Sequence, residues 1–170
     1  MLSMELQPIS YEEKSVLQHI MELYQYDMSE FEDNIHVNAH GLYGYKYIDN
    51  YWTEEGRFAF FVKVDGQIAG FALIREHEPL PDGTPNYSVA EYFIMRAYRK
   101  MGVGYWTAQQ IFSKFQGKWS LSYLKRNVVS ELFWRKVIGD CSQGEITETI
   151  SRGLPTFEFY TTGRPKEALK

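Results

Sequence analysis

The six residues Arg99-Lys100-Met101-Gly102-Val103-Gly104 combine two glycines, two cations and a change of local pattern. An apolar run, Tyr92-Phe93-Ile94-Met95, precedes them, and a helix-like segment from Tyr105 to Phe115 follows. That order reads as strand, tight turn, helix start. The first amides of a helix have no internal acceptor and sit at the positive end of its dipole. Glycines there let the backbone approach a ligand closely, so the run describes a seat for a phosphate or pyrophosphate. It is not a P-loop, because Tyr105 and Trp106 stand where Lys-Ser/Thr would be required. Nor is it a dinucleotide fingerprint, because the third glycine is replaced by Thr107.

Other reactive side chains are more scattered. His36 and His40 have the i, i+4 spacing that binds zinc on a helix, but the accompanying glutamate and a third ligand are missing, so no metal site is expected. Cys141 follows a helix-ending glycine without a neighbouring histidine, and reads as an incidental thiol. Tyr43, Tyr45, Tyr47 and Tyr51 form an aromatic set that reads first as packing and secondly as the wall of a pocket. Asp27, Glu30, Glu32 and Asp33 lie beside it, a solvated run or, if functional, an attraction for a cationic amine.

The elements that must position these groups follow from periodicity. Ser10 and Glu13 form a capping box, and Val16, Leu17, Ile20, Leu23 and Tyr24 recur at helical spacing, which predicts a helix over 11–26. A short helical or irregular region follows, up to Tyr51. Phe58–Val62 and Ile68–Ile74 are strands joined by an Asp65-Gly66 hairpin turn. The proline-rich stretch 79–85 is a loop, and Tyr87–Met95 is the strand that feeds the glycine run. Ala108, Ile111, Phe112 and Phe115 share one helix face. A strand around Trp119–Tyr123 comes next, then a helix over 130–137 ended by Gly139, and two final strands, 145–150 and 157–160. The tail after Thr162 is polar and expected to be loose. The result is an α+β fold, a mixed and mostly antiparallel sheet flanked by helices, in one domain spanning 1–170.

Composition narrows the function classes. The chain has 170 residues, 44% hydrophobic and 24% charged, which suits a globular domain with a real core. A net charge of −4 gives no support for nucleic-acid binding, and no apolar run is long enough to cross a membrane. One cysteine, no basic start and no apolar leader make the cytoplasm the default location. An exposed edge strand near the C-terminus could pair with a second copy to give a homodimer.

The run Arg99-x-x-Gly102-x-Gly104 resembles the Arg/Gln-x-x-Gly-x-Gly/Ala signature of the GNAT superfamily of acyltransferases. A second stretch strengthens the likeness. Asn127-Val-Val-Ser130-Glu-Leu-Phe133-Trp134 is similar to the family's Asn-x-x-Ala-x-x-Phe-Tyr, and Glu91–Arg99 is similar to its strand before the loop. The resemblance, from about Phe58 to Val137, implies the GNAT fold and acetyl-coenzyme A as cosubstrate, with no metal. It implies that the amides of Met101, Gly102, Val103, Gly104 and Tyr105 hold the pyrophosphate, with local charge from Arg99 and Lys100. Asn127 would meet the pantetheine arm, Ile94 would pair with it through its backbone, and a strand N–H near Ile94 or Met95 would polarise the carbonyl. Phe133 and Trp134 complete that side.

Two departures from the family pattern bear on mechanism. Trp134 occupies the place of the tyrosine that protonates the leaving thiolate, so that acid is missing or another tyrosine supplies it. The glutamate often used as base would fall at Ser88, and the acidic residue on this strand is Glu91, which should face the opposite side unless a bulge intervenes. Glu91 is therefore the candidate base or a structural carboxylate. The expected activity is acetyl transfer to a primary amine, small molecule or protein, by direct attack in a ternary complex. The alternatives are a non-catalytic acyl-coenzyme A sensor or interaction module, and a fold whose glycine turn binds nothing.

Overall fold

The computed structural model describes residues 1–161, and the polar tail expected to be loose lies outside them. Seven strands form one sheet: β1 (Met4–Pro8), β2 (Arg57–Val64), β3 (Gln67–His77), β4 (Asn86–Ile94), β5 (Lys118–Ser122), β6 (Thr147–Ser151) and β7 (Leu154–Tyr160). Their spatial order is β1-β2-β3-β4-β5-β7-β6, antiparallel throughout except for the parallel pair β4–β5. Helices α1 (Lys14–Met28), α2 (Asn50–Thr53), α3 (Val103–Lys114) and α4 (Val128–Cys141) complete the chain. The mixed α+β sheet is as expected.

Each face of the sheet has its own apolar layer. Trp119, Leu121, Phe157 and Phe159 of the sheet pack under Ile111 and Phe112 of α3 and Val137 and Ile138 of α4. On the other face Phe61, Phe71, Leu73 and Phe93 meet Leu17 and Met21 of α1. Amphipathic helices of this kind are held mainly by such burial, not by propensity. The closest backbone approach is at Gly70, where any Cβ would lie 2.0 Å from the Phe93 carbonyl oxygen, so β3 and β4 require glycine there.

Several boundaries differ from the sequence reading. β1 was not expected. It is short, and it exists through its ladder with β2, from Met4↔Val64 to Pro8↔Phe60. The first helix opens as a single 3₁₀ turn, Tyr11–Glu13, with the Glu13 carboxylate accepting from the Ser10 N–H at 3.1 Å, and α1 then runs to Met28. Gly139 does not end α4. The helix continues to Cys141 because Val137 and Ile138 are buried against the core while Gly139 faces solvent.

Candidate functional site

The site begins where two parallel strands part. β4 and β5 pair from Asn86↔Lys118 only as far as Val89↔Leu121. On its other side β4 stays paired with β3 up to Gly70↔Ile94, but the register shifts between Leu73↔Glu91 and Ile74↔Val89. Ala90 is thus the extra residue of a β-bulge, which re-aims the strand next to the gap. The Met95 N–H donates to the Ala69 oxygen at 2.8 Å. Alternation therefore turns the backbone groups of Tyr92 and Ile94 the other way, into the space that β5 has left.

A cleft of about 290 Å³ fills this gap. Glu91, Tyr92, Asn127, Ser130 and Trp134 line it, together with Tyr24 and Met28 from α1. Among the described residues Glu91 is the sole charged side chain in its wall. The bulge puts Glu91 on the α1 face, the side shared by Ser88, Phe93 and Tyr24. The Tyr24 hydroxyl donates to its Oε2 at 2.5 Å. Burial pushes the Glu91 carboxyl up to about 7, although hydrogen bonds from Tyr24 and Tyr45 favour its charged form. A carboxylate balanced near neutrality can accept a proton and release it again.

The glycine run lies at one end of β4. Lys100 and Gly102 both take left-handed backbone conformations, φ 59° and φ 81°, and Gly102 caps α3. A Cβ on Gly102 would meet nothing within 4 Å, so the loop leaves open room over the helix start. The amides of Lys100, Met101 and Gly102 have no backbone acceptor among the described residues, and the first intrahelical bond is Trp106 N–H to the Gly102 oxygen at 2.9 Å. The N–H groups of Val103, Gly104 and Tyr105 are therefore also free, as at any helix start. This cradle fits a pyrophosphate. Gly104 serves packing instead, since a Cβ there would stand 3.3 Å from Phe133 and 3.5 Å from Ile94.

A model of the acetyltransferase (GNAT) family matches residues 20–139. The chain belongs to the GNAT acetyltransferase family. Among solved structures, an acetyltransferase from Streptococcus agalactiae superposes with a TM-score of 0.69 at 13% identity, covering 95% of this chain and 96% of that one. Another, from Thermus thermophilus, gives 0.68 at 10%, covering 92% and 95%. At these identities the likeness is one of fold. Protein U3 of human herpesvirus 6A is 34% identical over 96 residues, which are 56% of this chain and 22% of that protein, so the chain spans about a fifth of that relative's length.

Within the GNAT frame, the residues singled out by sequence occupy distinct places. Ile94, Met95 and the stretch Arg99–Tyr105 form the end of β4, the loop and the helix start. The Arg99 guanidinium, however, is turned back into the protein. Its Nε donates to the Ile94 oxygen at 2.7 Å and its Nη2 to Asp27 Oδ2 at 2.5 Å, while Arg96 donates to Asp27 Oδ1 at 2.6 Å. Burial pushes the Asp27 carboxyl up, but the hydrogen bonds and charges of Arg99 and Arg96 outweigh it and leave it below the usual carboxylate range. Lys100 is exposed. The Tyr105 hydroxyl donates to Asp140 Oδ2 at 2.9 Å, so its side chain serves α4 and only its amide faces the cradle.

Asn127 lines the cleft and caps α4, its side-chain oxygen accepting from the Ser130 N–H at 3.1 Å. Trp134 is buried edge-on to Tyr92, with ring centroids 4.7 Å apart, and Phe133 packs beside both. The tyrosine set does not wall the cleft. Tyr45 interacts with Glu91 without lining the cleft, Tyr51 is buried with a hydroxyl that has no hydrogen-bond partner among the described residues, and Tyr47 is exposed.

The His36–His40 stretch is not helical, so the premise of the i, i+4 spacing fails there. Among the described residues no cluster of three or more potential ligands is placed to hold a metal, and no helix is long and apolar enough to cross a membrane. Burial raises the Cys141 thiol, which opposes reactivity. Sequence reasoning missed Tyr24 and Asp27 as site residues. Tyr24 reads as an ordinary core position of an amphipathic helix and Asp27 as part of a solvated acidic run. Their partners, Glu91 and Arg99, are 67 and 72 residues away.

Proposed function

We propose that the chain is an N-acetyltransferase that carries an acetyl group from acetyl-coenzyme A to a primary amine by direct attack. The observation that carries this reading is the parting of β4 from β5 beside a helix start with no side-chain cap. One opening offers unpaired strand amides at the end of β4, and the other offers free loop amides in the turn that follows it. The amides from Lys100 to Tyr105 hold the pyrophosphate. The backbone of Tyr92 and Ile94, with the Asn127 amide, holds the pantetheine arm in strand-like fashion. The Ile94 N–H polarises the thioester carbonyl, since the Met95 N–H is taken up by the Ala69 oxygen.

Glu91 accepts the proton that the attacking ammonium must lose, through solvent in the cleft or directly. The new C–N bond forms as the C–S bond breaks, and the thiolate leaves with the electron pair. Trp134 cannot protonate it, because an indole donates a hydrogen bond but does not titrate near neutrality. The sulfur is stabilised by such donors and takes, relayed through water, the second proton that the nitrogen sheds as the amide forms. Alignment of the two reactants supplies the remainder of the rate enhancement.

The test is isothermal titration of acetyl-coenzyme A into the parent and into Gly102→Glu. The substitution points bulk and negative charge into the open space over α3, so binding by the parent and none by the folded variant is the expected result. No binding by the folded parent overturns the reading. A second reading is favoured by Trp134, namely a module that holds an acyl-coenzyme A without turnover. It gains if the thioester binds and no amine is ever acetylated.

A further inference from the structure

We propose that the acceptor is a small primary amine carried on an apolar or aromatic body, and not a polycation. This rests on the acetyltransferase reading and assigns the substrate class of the same cleft. The cleft passes through the gap between β4 and β5. Asn127, Ser130 and Trp134 border it on the α4 side, where the pantetheine arm would lie. Beyond these and the residues of β4 and β5, the wall is made by Tyr24, Gln25, Met28, Ile35, Tyr123, Leu124 and Leu154. Six of these seven present carbon surface, and the seventh, Gln25, is uncharged.

Polycationic amines require several carboxylates to replace the water they lose. The cleft offers one, Glu91, and the Tyr24 hydroxyl, donating to it at 2.5 Å, holds it in place for the reacting nitrogen. The acidic run beside the cleft does not supply the others. Asp27 is consumed by Arg96 and Arg99. Asp33 is paired with Arg126 at 2.8 Å, and Glu32 accepts from the Asn34 amide at 3.2 Å. None of the four acids of that run lines the cavity. The volume, about 290 Å³ shared with the pantetheine arm, suits a compact body. An ammonium directed at Glu91 with an aromatic or alkyl group against Met28 and Ile35 matches the one carboxyl and the carbon surface of the wall.

The experiment compares 2-phenylethylamine, ethylamine and spermidine. Each is titrated calorimetrically into protein saturated with coenzyme A, and each is offered with acetyl-coenzyme A while released thiol is followed. The expected result is that 2-phenylethylamine binds about 10- to 100-fold more tightly than either of the others, the value of burying one ring, with kcat/KM in the same order. Ile35→Asp, on an irregular segment outside the helices, is expected to reduce that preference about tenfold or more and to favour spermidine. Spermidine binding as tightly as 2-phenylethylamine, or ethylamine matching it, overturns the proposal while leaving acetyl transfer intact. Absence of thiol release with every amine overturns transfer, and the calorimetric order still decides the class of ligand.

Discussion

Replacing Glu91 with glutamine separates two roles of one carboxyl. In the unfolded chain the group ionises near 4.5, and in the fold burial holds it protonated up to about 7. A folded value above the unfolded one means that the native state binds the proton more tightly. Stability is therefore highest while the group is protonated in both states, and it falls as pH rises from about 4.5 toward 7. At about 1.4 kcal/mol per pH unit, the loss across that window is at most about 3.5 kcal/mol. It is an upper bound because Glu91 keeps contact with solvent in the cleft. Glutamine is neutral throughout and can still accept from Tyr24, so the variant should match the parent in acid and become the more stable of the two by pH 8. Urea unfolding of both proteins from pH 4 to pH 8, taken as a difference, isolates this group from all others that titrate. Parallel stability curves would refute the reasoning, since they would mean that Glu91 ionises in the fold as it does in the open chain. In turnover, the parent should gain activity through an inflection near 7. The variant should lose about 100- to 10,000-fold in kcat/KM and lack that inflection.

Three further predictions follow from contacts at and around the site. Asp27→Asn should cost about 1–3 kcal/mol by leaving Arg99 and Arg96 without their acceptor, and the deficit should shrink as pH falls through the carboxylate range, because the parent's own Asp27 is then protonated. Denaturant midpoints at several pH values measure both, and a deficit independent of pH would count against the ion pair as the cause. Gly70→Ala should cost about 3 kcal/mol or more, since its Cβ would strike a backbone oxygen, whereas Gly139→Ala, with open space around it, should stabilise α4 by about 0.5–1 kcal/mol. Equal melting temperatures for the two variants would contradict that contrast. Trp134→Phe keeps a ring against Tyr92 and removes the indole N–H, so kcat should fall about tenfold, the value of one hydrogen bond, with acetyl-coenzyme A affinity little changed. An unaltered kcat would show that the indole N–H plays no part at the sulfur.

Which features could be read from sequence depended on how local their causes are. The glycine run announced its conformation because φ near 80° at Gly102 and the helix start after it are set by adjacent residues. The Asp65-Gly66 turn between β2 and β3 was legible for the same reason. β1 carried little signal of its own, because five residues with one apolar face become a strand only when β2 is there to pair with them. The facing of Glu91 depended on whether Ala90 bulged, and nothing in Val89-Ala90-Glu91 fixes that. It is decided by the register of β3 on one side and the departure of β5 on the other. Arg99 looked like charge set aside for phosphate, yet its partner is an aspartate 72 residues earlier.

These long-range contacts share an origin that explains why the site can stay open without collapsing. Over its last residues β4 lacks a strand neighbour on one side, and a splayed strand with unpaired amides is free to shift or to pair wrongly. Helix α1 supplies the restraint. Tyr24 and Asp27 are one turn apart, so they project from the same face of the helix. Tyr24 holds Glu91 in the middle of the open stretch, and Asp27 holds Arg96 and Arg99 just beyond it, with Arg99 also closing onto the Ile94 oxygen. The proposed base and the glycine loop are thus fixed to a single helical turn, and the distance between them is set by a rigid element and not by the loop. A reaction that depends on alignment gains from such an arrangement. The glycine loop itself then needs only to present amides, which is why its one arginine can be spent on the scaffold and its lysine left to solvent.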